Sequence, residues 1–175
     1  MHELVVVTGL PLSGTSLLMS MLQAGGVELL SDGGRPPDEH NPRGYFEAGP
    51  EVQLHGEEGK AVKLLSRQLE KVDLDLPVRV LLLDRDLAEV AASQQKMLAQ
   101  AADEWDWTDL LGRELGRFKL WLAARGWPLM VVEHRRLLLE PHQVGRELQK
   151  FLSRPLDLEA MAGQVDLDLY RNRRC

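Results

Sequence analysis

The stretch L-V-V-V-T-G-L-P-L-S-G-T-S, residues 4–16, decides the fold. Its opening run, Leu4 to Val7, is continuous and β-branched, which suits a strand covered on both faces. Gly9 and Gly14 follow, five residues apart, as in the nucleotide-binding loop G-x-x-x-x-G-K-[ST]. In a strand–turn–helix joint of this kind successive backbone N–H groups point into the turn, and the helix dipole adds partial positive charge there. Small residues at Gly9, Ser13 and Gly14 let an anion approach the backbone closely, and Thr15 and Ser16 add hydroxyl groups. Thr15, however, stands where the pattern has lysine. That lysine reaches the β- and γ-phosphates of a triphosphate, and the next Ser or Thr holds Mg²⁺. Kinase or triphosphatase chemistry here lacks a principal charge stabiliser.

Three further apolar segments also read as strands covered on both faces: 61–65 (AVKLL), 78–84 (VRVLLLD) and 128–133 (PLMVVE). Helical periodicity lies between them. Leu17, Leu18, Met21 and Leu22 share one face of a helix over 16–26 that stops at Gly25-Gly26. Asp86 and Glu89 resemble a capping pair for a helix over 87–100. Leu111, Leu115, Phe118 and Leu122 form the stripe of a helix over 108–126, with Trp121 beside it. Pro141 opens another helix, cored by Val144, Leu148, Phe151 and Leu152, and a short one covers 157–163. Strands alternating with helices predict an α/β fold, a three-layer parallel sheet flanked by helices. The Gly-, Pro- and charge-rich segment 31–50 has no periodicity and reads as a long functional loop in one compact domain over 1–175.

Five segments together resemble the sulfotransferase family that uses 3′-phosphoadenosine 5′-phosphosulfate (PAPS). "GLPLSGTS" is similar to its 5′-phosphosulfate loop. "LLLDRDLAEVAAS" resembles its second signature, a strand ending in Arg and a helix with Ser eight residues on, here Arg85 and Ser93. "NPRGYFE" (41–47) looks like the acceptor-side loop of bacterial members. "VVEHRRLLLEPHQVGRELQKFL" (131–152) resembles a later conserved stretch, with Val132-Glu133-His134 in place of Tyr-Glu-Asp, and "LYRNR" (169–173) also fits. The resemblance implies the P-loop nucleoside triphosphate hydrolase-like (sulfotransferase) fold and transfer of a sulfuryl group from PAPS, without a metal, to a hydroxyl or amine. It places the nucleotide on Pro11, Leu12, Ser13, Gly14, Thr15 and Ser16, with Arg85 and Ser93 on the 3′-phosphate. Arg171 and Arg173 could close over that phosphate.

The chain departs from the family at Leu12, where members carry Lys or Arg. An apolar side chain cannot neutralise the charge that develops on the leaving oxygen. Arg43, Lys63, or Arg171 and Arg173 could substitute. Glu47 is the first choice for the base that takes the acceptor's proton, with His40 and Glu39 as alternatives. His40 has the intrinsic pKa better placed for proton transfer near neutrality. Tyr45 and Phe46 line an acceptor pocket or anchor the loop, Phe46 better suited to the anchor, and Trp105 and Trp107 could edge the pocket.

Composition bounds the alternatives. In 175 residues, 21 Lys+Arg against 27 Asp+Glu give a net charge of −6, which argues against a general nucleic-acid binder but leaves room for a local basic pocket. No stretch approaches the roughly 20 apolar residues of a membrane span. The start "MHELVVVTG" has no basic n-region, and the single cysteine, Cys175, makes no internal disulfide; a cytoplasmic protein is expected. The histidines show no metal spacing. The acceptor, small molecule or carbohydrate, and the oligomeric state are left open. The rival readings are a degenerate, non-catalytic nucleotide-binding module and, less favoured by Thr15, a nucleotide kinase or triphosphatase.

Overall fold

A computed structural model describes residues 3–33, 36–38, 41, 44–49, 52–98 and 107–167, with backbone alone for 96–98. Its strands are β1 (Leu4–Gly9), β2 (Leu29–Leu30), β3 (Ala61–Lys63), β4 (Val78–Asp84) and β5 (Leu129–Glu133). The helices are α1 (Thr15–Ala24), α2 (Ser66–Leu69), α3 (Leu87–Leu98), α4 (Trp107–Arg125), α5 (His134–Leu139), α6 (Pro141–Leu152) and α7 (Leu158–Ala162). The strands form one five-stranded parallel sheet in the order β2-β3-β1-β4-β5. This is the expected α/β architecture.

Side-chain alternation along the strands builds two cores. Val5 and Val7 of β1, Ala61 of β3, Leu81 and Leu83 of β4 and Val132 of β5 pack with α1, α6 and α7. On the opposite face Leu4, Val6, Val62, Val78, Val80 and Leu82 pack with Leu69 of α2 and with Phe118 and Leu122 of α4. Both faces of β1 are therefore covered, and all six of its residues are buried. The paired register Val7↔Lys63 and Gly9↔Leu83 brings the carboxyl ends of β1, β3 and β4 to one rim. The chain leaves β1 for β2 and β3 on one side and later lays β4 and β5 on the other. Strand order thus reverses at β1, and a parallel sheet binds its ligands outside such a reversal.

The structure corrects several boundaries. Strand 61–65 ends at Lys63, because Leu65 is already the N-cap of α2, a turn the apolar run concealed. β5 was expected to be covered on both faces; it is the outer strand, with Leu129 and Val131 exposed. An apolar run reports affinity for a sheet and cannot distinguish edge from centre. β2 and α5 have too few residues for a periodic signal. Asp86 caps α3 as expected, its Oδ1 accepting from the N–H of Ala88 (3.0 Å) and Glu89 (3.1 Å). The carboxylate of Glu89 takes no part in that cap and turns instead to Arg85.

Candidate functional site

The turn from β1 to α1 is open at its mouth and fixed at its base. Gly14 precedes α1 in the left-handed region (φ 102°), and no side chain caps the helix, so its first-turn N–H groups have no internal partner. Gly9 (φ 155°) leaves no room for a Cβ, which would lie 2.6 Å from Ser13 Oγ. Leu12 is left-handed without being glycine (φ 65°), a conformation that surrounding contacts must hold. Leu10 supplies one anchor, buried among Val90, Ala91, Leu111 and Leu115 of α3 and α4. The carbonyls of the turn supply two more: Arg85 Nη1 donates to Leu12 O (3.0 Å) and Gln94 Nε2 to Pro11 O (3.3 Å). Beneath the loop the hydroxyls of Thr8 and Ser13 are buried and have no hydrogen-bond partner among the described residues.

One flank of the loop is occupied by Lys63. Ala61 and Lys63 point to the α1 face of the sheet, so the last residue of β3 sends its ammonium to the start of α1. Lys63 is 3% exposed. Its Nζ donates to the Tyr45 carbonyl and to Ser16 Oγ (3.4 Å), and lies 3.9 Å from Glu47 Oε1. Glu47 is held there by its backbone, which forms a parallel bridge to Lys63 and accepts from Ser31 Oγ (3.0 Å) and Asp32 N (3.2 Å). Ser16 occupies the position that holds Mg²⁺ in triphosphatase loops, and here that hydroxyl already faces a fixed cation of the chain itself.

The other flank is a buried charged cluster. Arg85, just past β4, also donates from Nε to Glu89 Oε2 (3.1 Å), and this pair is 11% and 6% exposed. Beside it His134, the first residue of α5, lies against Gly14: a Cβ on Gly14 would come within 2.3 Å of His134 Cδ2. Burial, and then the neighbouring Arg85, push the imidazole pKa down to about 4, while Glu89 works in the opposite direction. The ring is neutral at pH 7.

Of the residues expected at the site, Pro11 to Ser16, Arg85, Glu47 and Lys63 are brought to one rim. Ser93 is half-buried on α3, one residue before the loop contact Gln94. Tyr45 is buried, with its hydroxyl donating to Asp38 Oδ2 (2.7 Å), and Phe46 packs on the α1 core, so both serve as anchors. His40, Glu39, Arg43, Arg171, Arg173 and Trp105 lie outside the described residues. Sequence reasoning missed Gln94, and placed His134 only as a substitution in a later stretch. Nothing in the spacing announces that the end of β5 meets Gly14. Among the described residues no group of three or more His, Cys, Asp or Glu could hold a metal ion, and no helix is long and apolar enough to cross a membrane.

No protein-family model matches the chain, and no curated protein matches it in sequence. Solved structures do match. The fold is similar to that of mouse sulfotransferase SULT7A1 complexed with PAP, at TM-score 0.59 and 10% identity, over 98% of this chain and 66% of that one. It is also similar to the sulfotransferase domain from the curacin biosynthetic pathway, at TM-score 0.57 and 15% identity, over 91% of this chain and 77% of that one. The chain thus spans just under two thirds of the length of the mouse protein. At these identities the likeness is one of fold, and the chain has the fold of a sulfotransferase.

Proposed function

We propose that this protein binds PAPS on the β1–α1 loop and transfers its sulfuryl group to a hydroxyl or amine acceptor. The observation that carries the reading is the Lys63 ammonium beside Ser16. A loop with no lysine of its own, flanked by a built-in cation where triphosphatases bind Mg²⁺, suits a phosphosulfate better than a metal-bound triphosphate. In transfer, the acceptor atom forms a bond to sulfur as the bond from sulfur to the bridging oxygen breaks, leaving 3′-phosphoadenosine 5′-phosphate (PAP). Negative charge grows on that bridging oxygen, and the backbone N–H groups of the loop with Lys63 are the groups positioned to stabilise it. Glu47, on the same side as Lys63, takes the acceptor's proton. Lys63 answers the problem posed by Leu12, whose side chain carries no charge. Arg85 and Ser93 are proposed for the 3′-phosphate. Arg85 would retain its contact to the loop carbonyl of Leu12 with the ligand in place.

A second reading, binding without transfer, is favoured by Leu12 and by the neutralisation of Arg85 by Glu89. The two separate in an assay that needs no natural acceptor: PAP and p-nitrophenyl sulfate, with release of p-nitrophenol as the readout. Transfer predicts PAP-dependent release that Leu12→Lys raises. PAP binding with no release from either the wild type or Leu12→Lys leaves the binding module as the function.

A further inference from the structure

We propose that His134 is a positioning residue of the phosphate loop: its ring at Gly14 and the Arg85 guanidinium at Leu12 O grip the turn from below, so that the anion cradle stands formed before the ligand arrives. This rests on the nucleotide reading above for the identity of the ligand, and on geometry for the grip. Three observations meet here. The ring is 93% buried and occupies the space into which a Gly14 side chain would project. The loop has left-handed residues on both sides of Ser13, Leu12 at φ 65° and Gly14 at φ 102°, and each of the two is held by a different element. The hydroxyl of Ser13, on the residue between the two grips, is buried and has no hydrogen-bond partner among the described residues.

Each chemical property of the ring suits this role. A neutral imidazole is flat and fits beneath a glycine without bringing a charge next to Arg85. Among the described residues the charged groups that shift its titration are Arg85, past β4, and Glu89, on α3. An anion seated on the far side of Gly14 adds negative charge and joins Glu89 in favouring the imidazolium against Arg85. Capture of the anion therefore draws the ring toward protonation, and by linkage the affinity contributed by His134 grows as the pH falls. The residue would then act at two levels, shaping the empty loop and matching the charge of the filled one.

The test is a double-mutant cycle on Gly14→Ala and His134→Ala, read by PAP calorimetry and by thermal unfolding. Gly14→Ala weakens PAP by about 100-fold in the wild-type background. In the His134→Ala background, where the clash is gone and only backbone strain is left, it weakens PAP about tenfold or less. Losses that simply multiply overturn the grip. A second arm compares wild type with His134→Gln between about pH 7.5 and pH 5, which cancels the titration of PAP itself; a neutral amide of similar reach keeps the packing but cannot take the proton. Wild type gains affinity over His134→Gln by severalfold toward pH 5, and parallel profiles overturn the coupling. If PAP fails to bind the wild type, the nucleotide reading fails alone, because the Gly14–His134 cycle is still read in the unfolding midpoints.

Discussion

Lys63 is the residue on which stability and function pull apart. An ammonium buried to 3% exposure loses most of its hydration, and a carbonyl, a hydroxyl and a carboxylate at 3.9 Å return only part of it. Lys63→Met keeps the length of the side chain, removes that cost and leaves Glu47 in contact with solvent. We expect an unfolding midpoint equal to or above that of the wild type. Affinity for PAP should fall by about tenfold or more, the loss of one charge-assisted contact. A variant that loses stability and retains affinity would show that Lys63 is structural. Lys63 was visible in the sequence as one of several candidate cations, and the parity of β3 turns it, with Ala61, toward α1. Glu47 was legible too, through its place after Gly-Tyr-Phe. His134 was not, because its role depends on which strand lies beside β4 and on where that strand ends.

Among the elements, α4 and the β5–α5 junction carry the clearest consequences. Phe118 is fully buried on α4, stacked on Trp121 at 5.8 Å between ring centres, and fills the core against β1 and β4. Phe118→Ala should lower stability by about 3–5 kcal/mol in denaturant titration. At the junction, the buried His134 has a pKa near 4 against 6.5 for the unfolded chain. Between those values the unfolded state binds a proton that the folded state refuses, so the contribution is complete above about pH 6.5 and lost as the pH falls to about 4. Its full size is on the order of 3 kcal/mol. The stability of His134→Gln relative to wild type should therefore rise steadily across that window, and a constant difference would mean that the ring is not held neutral. Long elements with strong periodicity, β1, β4, α4 and α6, were legible because burial on one stripe or two faces leaves a repeating mark. β2, α2 and α5 have two, four and six residues, too short for a period, and follow from tertiary contacts.

At the scale of the molecule, a chain of net charge −6 gathers its β1–α1 loop, Lys63 and Arg85 at the one edge where the strand order reverses. The sequence pattern of strand, glycine turn and helix already implied an anion site there, since N–H direction and helix dipole follow from the local fold. What the pattern left open was the kind of anion. In the proposed reading the cation that decides it comes from β3, more than 40 residues downstream of the loop, and the parallel register Val7↔Lys63 brings it alongside. The account therefore turns on ligand choice. Its most direct test is calorimetric titration of the full chain with PAP and with ATP, each in EDTA and again with Mg²⁺. A phosphosulfate loop flanked by Lys63 should bind PAP at least about tenfold tighter than ATP, with an affinity that Mg²⁺ does not change. Tighter binding of ATP, dependent on Mg²⁺, would contradict it.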